Sequence, residues 1–456
     1  MIAGARRVHF VGIGGAGMSA IAKVLMERGL EVSGSDLKRS RAATMLEAMG
    51  VEVHIGHEAS LVDGADTVVI STAIPERNPE LVRARATGVK VMTRGEALAD
   101  LLNDLEAVVV AGTHGKTTTT SMIVSILHSA GRDPTYLVGG GLNDVGTNAR
   151  LGRDELAVAE SDESDGSFLL LTPHLAVVTN IEADHLDHWG SFDEIAAGFR
   201  SWLGGVKEQG AIVVPENDSV LRGLTVARGV SRTTFGPGGD VDARDVEAGG
   251  AGMSFTLVHG DTSAAVTLRV PGRHNVANAL AAAAACLHVG LSIESVARGL
   301  GEYRGVERRF QIRGERGGVT VIDDYAHHPT EVRATLEAAR GGPWKRVVAV
   351  FQPHRYSRTR ALFEDFGASF GDADQIVVTD VYGAGEQPVP GVTGKLVSDS
   401  VCAHLPGRAV AYLPHRGELV AYLRASARPG DALLTLGAGD ISALGDELLQ
   451  HQRTTK

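Results

Sequence analysis

Ala107-Val-Val-Val-Ala-Gly112-Thr-His-Gly-Lys116-Thr-Thr118 is the stretch on which the fold turns. Its first five residues are apolar, and a short unbroken apolar run reads as a strand buried on both faces, as in a parallel sheet. Residues 112–117 form a glycine loop, and Met122, Ile123, Ile126, Leu127 and Ala130 then recur at helical spacing. Strand, loop and helix together make an α/β unit. The loop also carries chemistry. Glycines leave backbone N–H groups open to a phosphate, and a helix start adds the positive end of its dipole. Lys116 supplies a cation and Thr117 a hydroxyl for Mg2+. Val110 stands where the first glycine of G-x-x-x-x-G-K-T belongs, so an ordinary glycine turn followed by a lysine is the alternative.

The alternation extends in both directions. Residues 8–13 read as a strand, a glycine turn follows, and Met18, Ile21, Ala22 and Leu25 mark a helix. Strands at 31–36 and 66–72 complete a first unit that ends near Asn103-Asp104. The second unit has strands at 156–159, 175–179 and 211–214, each running into a polar loop. Residues 236–270 read as a hairpin-like insertion, and 276–289 as an alanine-rich helix. A third unit starts at Arg308, with strands at 319–323, 347–351, 375–379 and 432–436 between helical patterns. A chain of 456 residues exceeds one ordinary core. The expected fold class is therefore α/β, with three domains in series at 1–104, 105–307 and 308–456.

Composition excludes several partners. The net charge of −11 leaves no basic excess for a nucleic-acid backbone. Aromatics, at 5%, are too few for a base-stacking surface. A local basic pocket for a small phosphate ligand stays open. No run approaches the ~18 apolar residues of a membrane span. Gly12, Gly14, Gly15 and Gly17 interrupt the first apolar stretch, so it is not a signal peptide, and a cytoplasmic location is expected. Cys286 and Cys402 are too far apart in sequence to suggest a disulfide framework or a metal cluster, and both are expected to be buried small apolar residues.

Ligands of open α/β sheets sit beyond the carboxyl ends of the strands, so the loops after strands hold the candidates. Gly12-x-Gly14-x-x-Gly17 with Asp36 fits a pyrophosphate and ribose. It suits NAD in an oxidoreductase, another nucleotide, or a bare structural turn. Glu160-Ser-Asp-Glu-Ser-Asp165 places four carboxylates in six residues. Such crowding raises pKa values unless a cation intervenes, and Mg2+ takes such oxygens; a solvated acidic loop is the plain alternative. His185, within residues 180–187, reads as a neutral metal ligand, a general base or a structural histidine. Residues 271–278 offer Asn and His to a base edge with Arg273 near phosphate, or are simply a capped helix start. Residues 323–329 and 351–358 follow strands in the third unit. Arg355 and Arg358 are three apart and can share one pocket for a small amino-acid carboxylate, or pair with surface acids.

Taken in order, GIGGAGMS (12–19), GTHGKTT (112–118), ESDESD (160–165), ADH (183–185), PGRHN (271–275), DDYAHHP (323–329), QPHRYSR (352–358) and GAGD (437–440) resemble the Mur ligase family. The set looks most like its L-alanine-adding members. That resemblance implies an ATP-dependent amide-bond-forming ligase of peptidoglycan precursor synthesis. A sibling adding a whole peptide to UDP-N-acetylmuramate is the near alternative. It implies a Rossmann-like first domain that holds UDP-N-acetylmuramate through Gly14, Gly15, Gly17, Asp36, Ser71 and Arg94. It implies a central P-loop ATPase-like domain that binds ATP through Gly112, Thr113, His114, Gly115, Lys116, Thr117 and Thr118. Asn275 and Asn278 would lie near adenine, and Arg308 and Arg309 would approach ATP. Thr117, Glu160 and His185 would hold one or two Mg2+. A Rossmann-like C-terminal domain would hold L-alanine through Tyr325, His327, Arg355 and Arg358, with Lys116, His185 and His327 catalytic. A monomer or homodimer is implied. Some relatives carry a carbamylated lysine fifteen residues after the matching histidine; Arg200 stands there, so no carbamate is expected.

Overall fold

The computed structural model describes residues 2–450 apart from Thr225 and Ala251, with the side chains of Ala3 and Asp187 also outside the description. Met1 and residues 451–456, the ends of the first and third expected domains, and the Asp187 side chain of the His185 loop thus lie outside the described residues. The chain divides into two compact units. The first is Met1–Arg244, Thr256–Val266 and Ala277–Arg304; the second is Asp245–Phe255, Thr267–Val276 and Gly305–Lys456.

The first unit opens with a five-stranded parallel sheet of β1 (Arg7–Val11), β2 (Glu31–Asp36), β3 (Glu52–Ile55), β4 (Thr67–Ile70) and β5 (Lys90–Thr93). The order is β3-β2-β1-β4-β5, so the strand order reverses between β1 and β4. Helices α1 (Ala16–Glu27), α2 (Arg41–Ala48), α3 (Pro79–Thr87) and α4 (Arg94–Leu102) connect the strands. Local chemistry sets their starts. Asn78 accepts from Glu80 N and Leu81 N ahead of Pro79, and Thr93 forms a capping box with Glu96. The expected strands recur with shifted ends. β3 and β5 were not foreseen, because as edge strands they carry exposed polar residues.

The second sheet runs β15-β14-β13-β12-β11-β10-β6-β9-β7-β8. Its strands are β6 (Glu106–Ala111), β7 (Thr135–Leu137), β8 (Ala149–Arg150), β9 (Leu156–Glu160), β10 (Leu175–Val178), β11 (Ala211–Pro215), β12 (Ser231–Phe235), β13 (Val241–Gly249), β14 (Gly252–His259) and β15 (Thr262–Leu268). The expected hairpin is a run of three strands. Helices α5 (Lys116–Ser129), α6 (Leu186–Trp189), α7 (Phe192–Gly204), α8 (Arg273–His288) and α9 (Ile293–Glu302) accompany the sheet. A Cβ at Gly299 would fall 2.6 Å from the Cα of Ile126, which is why α9 can lie directly on α5. One apolar cluster runs from Phe10 and Ile21 through Val109 and Val178 to Trp202.

The second unit carries β16 (Gln311–Arg316), β17 (Val319–Asp324), β18 (Arg346–Phe351), β19 (Gln375–Val378), β20 (Ala409–Tyr412) and β21 (Asp431–Leu436), ordered β16-β17-β21-β18-β19-β20. Only β16 is antiparallel to its neighbour. Its helices are α10 (Pro329–Arg340), α11 (Tyr356–Gly367), α12 (Gly394–His404), α13 (Arg416–Ser426) and α14 (Ala443–Leu449). The expectation of two buried cysteines needs correction. Cys286 is buried, but Cys402 is exposed, because the inward stripe of α12 is Val397, Ser398 and Val401. Among the described residues no helix is long and apolar enough to cross a membrane.

Candidate active site

β6 lies between β9 and β10, with Val110 opposite Glu160 and Ala111 opposite Val178. The loop after β6 is therefore flanked by Glu160 on one side and Asn180 on the other. Gly112 and Gly115 adopt φ of +135° and +79°. Added Cβ atoms there would meet Thr179 Oγ1 and Asn278 Oδ1, each at 2.2 Å. Asn278 thus reaches the loop. Asn180, which the sequence reading did not select, shapes it. Its carbonyl accepts from Thr113 N at 3.1 Å, its Oδ1 accepts from His114 N at 2.9 Å, and its Nδ2 donates to His114 O at 2.9 Å. Gly115 caps α5 without a side-chain bond, which leaves the first-turn N–H groups for an anion.

Lys116 Nζ donates to Gly112 O at 2.7 Å, Thr113 O at 3.2 Å and Glu163 Oε2 at 2.7 Å. Thr117 Oγ1 donates to Glu160 Oε1 at 3.1 Å, and Gly139 N to Glu160 Oε2 at 2.9 Å. Trp189 Nε1 holds the Glu163 carbonyl at 2.9 Å. His185, in the left-handed region at φ +53°, brings Nε2 to 3.8 Å from Glu163 Oε1. That oxygen is buried and makes no hydrogen bond among the described residues. Burial, reinforced by Asp162, pushes the Glu163 carboxyl up to about 7 despite Lys116. Burial alone would lower the Lys116 ammonium, yet Glu163, Asp162 and Glu160 hold it above its ordinary value. Three acids thus face one cation, and a cluster with that excess attracts further positive charge. Its hard oxygens suit Mg2+. Glu163 was missed in the sequence because nothing ranks the four carboxylates of the run; burial does. Arg200 lies on α7 and donates to Val220 O at 3.4 Å.

In the first sheet the turn after β1 sits at the reversal point, where α/β proteins bind ligands. Gly12 N and Ile13 N donate to Ser35 O at 2.8 and 3.0 Å. Gly14 N donates to Asp36 Oδ2 at 2.9 Å, and a Cβ at Gly14 would lie 2.8 Å from the same oxygen. Gly15 caps α1. Ser71, after β4, lies 3.7 Å from where a Cβ of Gly12 would be. Gly17 packs against Arg94, whose Nη2 donates to Asp165 Oδ2 at 3.1 Å.

In the second unit β17, β21 and β18 are neighbours, so the loops at 325–328, 437–439 and 352–355 emerge side by side. Arg308 and Arg309 both lie over the Tyr325 ring, at 4.9 and 5.0 Å, and Arg308 Nη2 donates to Gly437 O at 2.7 Å. The His327 ring is edge-on to Tyr325 at 5.1 Å and to His354 at 5.7 Å. Arg355 takes φ +67° and donates its N–H to Tyr382 O at 2.8 Å. Burial holds His354 down to about 3, aided by His327, Arg358, Arg355 and Arg308. Arg358, Arg355 and Arg308 therefore make the surroundings of the His354 ring positive. Burial pushes Asp324 up to about 6; it accepts from Phe310 N and Ala326 N. Asn275, in the first turn of α8, donates its Nδ2 to Pro271 O at 2.6 Å.

Comparison with known proteins gathers these parts under one heading. Family models described as the Mur ligase family catalytic domain, the Mur ligase middle domain and the Mur ligase glutamate ligase domain match residues 7–105, 110–286 and 308–439. A UDP-N-acetylmuramate–L-alanine ligase of Rubrobacter xylanophilus is 51% identical, covering 97% of this chain and 99% of its own. One from Mycolicibacterium smegmatis is 48% identical, covering 98% and 95%. The crystal structure of a UDP-N-acetylmuramate-alanine ligase from Thermotoga maritima superposes with TM-score 0.85 at 31% identity, covering 99% of this chain and all of that one. A murein peptide ligase from Psychrobacter arcticus gives 0.74 at 25%, covering 97% and 98%. The three sheets, the glycine loops at their carboxyl ends and this near full-length identity have a single reading: the chain belongs to the Mur ligase family.

Proposed function

We propose that this enzyme uses ATP to join L-alanine to the lactyl carboxylate of UDP-N-acetylmuramate, releasing ADP and phosphate in peptidoglycan precursor synthesis. The observation that carries the reading is the Lys116–Glu163 pair beside Thr117–Glu160 at the strand-to-helix loop of the central sheet. Residues 1–104 serve the UDP-sugar, 105–307 the ATP and 308–456 the amino acid. Nucleotide substrates of this kind belong to the cytoplasm.

A carboxylate does not form an amide unaided, because oxide is a poor leaving group. The lactyl carboxylate attacks the γ-phosphorus, the bond to the β–γ bridging oxygen breaks, and ADP leaves from an acyl phosphate. Lys116 exchanges Glu163 for the β- and γ-phosphates, and the amides of Gly115–Thr118 receive charge as it develops. Thr117, Glu160, Glu163 and His185 would hold Mg2+, which neutralises phosphate charge when bound. Arg355 and Arg358 hold the alanine carboxylate. The amine then attacks the acyl carbon and phosphate departs. His327 Nδ1 faces two acceptors, Tyr325 O at 3.0 Å and Glu331 Oε2 at 3.1 Å, so its proton sits on Nδ1. Nε2 is left to take the ammonium proton.

Phosphate release with UDP-N-acetylmuramate is measured against each of the twenty amino acids and an L-alanyl tripeptide. Release that requires L-alanine, with the mass of the amide product, is expected. Release without an acceptor, or preference for the tripeptide, overturns the assignment.

A further inference from the structure

We infer that Arg94 is a positioning residue that ties the sugar-nucleotide turn to the acidic segment of the ATP site, so that filling one site strengthens the other. The inference rests on the ligase reading above. Arg94 opens α4 after edge strand β5, and its side chain is only 18% exposed. One edge of its fork is engaged: Nη2 donates to Asp165 Oδ2 at 3.1 Å and Ser167 Oγ at 3.3 Å, with Asp162 Oδ2 at 4.0 Å. Its other edge faces the glycine turn. A Cβ at Gly17 would lie 3.2 Å from Arg94 Cδ and 3.3 Å from Nη1. A guanidinium has five donors in a planar fork, so it can grip a diphosphate at that turn without releasing Asp165.

The acidic segment transmits such a grip because it is braced. Asp165 Oδ1 accepts from Ser167 N at 3.0 Å, Ser167 Oγ donates to Asp162 O at 3.3 Å, and Asp162 Oδ1 accepts from Ser164 N at 3.0 Å. A Cβ at Gly95 would fall 2.5 Å from the Cβ of Ser167, so no slack separates the start of α4 from this turn. The next contact along the segment is Glu163 on Lys116. From Arg94, which borders the Gly17 turn, a path of hydrogen bonds and chain neighbours thus runs through Asp165, Ser167, Asp162 and Glu163 to Lys116. A diphosphate on the free edge of Arg94 orders the path, and a second ligand then meets carboxylates already in place.

The test is calorimetric titration of the full-length protein with a non-hydrolysable ATP analogue and Mg2+, with and without saturating UDP-N-acetylmuramate. In the native protein the sugar nucleotide should tighten the analogue by about 5-fold or more. In Asp165→Asn the tightening should fall below about 2-fold, while analogue affinity without the sugar nucleotide stays within about 3-fold of native. Ser167→Ala removes only the neutral contact and should lower the tightening without abolishing it. Arg94→Lys keeps the charge but loses the fork, so UDP-N-acetylmuramate should bind more weakly and, even at saturation, no longer tighten the analogue. Absence of tightening in the native protein overturns the proposal, and so does native-sized tightening in both Asp165→Asn and Ser167→Ala. Failure of the native protein to bind UDP-N-acetylmuramate at all overturns the ligase reading and this proposal with it.

Discussion

Replacing Glu163 by glutamine separates what this carboxylate costs the fold from what it does for the reaction. Its side chain is 3% exposed and carries one oxygen with no hydrogen bond among the described residues, and burial moves it from an ordinary 4.5 to about 7. A shift of that size is worth about 3 kcal/mol. The native fold binds the Glu163 proton more tightly than the unfolded chain does. The resulting stability is fully present below about 4.5 and is lost as pH rises through about 7. Glu163→Gln removes this dependence. The attraction to Lys116 acts only on the ionised form, and the value of about 7 already contains it, so losing it adds no second pH dependence. The slope of the effect with pH therefore carries the test, and its offset does not. Thermal unfolding of both proteins in chelator, at pH 5 and pH 8, should show the melting temperature of the variant gaining on the native by several degrees, at about 2–4 °C per kcal/mol. Ligase turnover should fall at both pH values, because a phosphate-site carboxylate is gone. A difference in melting temperature that stays constant from pH 5 to pH 8 would refute the reasoning.

Lys116→Ala should lower phosphate release roughly a thousandfold with an unchanged circular dichroism spectrum, since it deletes the only lysine on the loop; near-native turnover would discard the ATP site. Arg355→Ala should raise the KM for L-alanine roughly 10–100-fold, the worth of a charged hydrogen bond, and leave that for ATP nearly unchanged; equal changes would remove it from the amino-acid pocket. Gly115→Ala forces a side chain to φ +79° and onto Asn278 Oδ1, at a backbone cost of about 1–2 kcal/mol. It should abolish binding of an ATP analogue in a direct titration, and retained affinity would show that the loop geometry is not what binds.

What the sequence made legible follows one physical rule. Central strands of a parallel sheet are buried on both faces and are written as unbroken apolar runs. β6, β10, β11, β18 and β21 could thus be read within a residue or two of their ends. The strands that escaped notice are mostly edges, β3, β5, β16 and β20, where one side meets water and polar residues such as those of Gln311–Arg316 are tolerated. The phosphate loops were legible for a related reason. Gly112, Gly115 and Gly14 sit where a Cβ would strike a neighbour, so the glycines themselves record a close approach.

The sequence by itself determined the class of fold, the loops where ligands bind, and the types of group available there, because periodicity and glycine placement are local properties of a chain. Partnership is not local. That Lys116 rests on Glu163, 47 residues away, that Arg94 bonds Asp165, 71 residues away, and that Asn180 moulds the loop of His114, 66 residues away, were decided only when parallel strands brought their carboxyl ends together. Burial was decided at the same step. It singles out Glu163 from three similar neighbours, since the cost of a charge depends on the water that packing excludes.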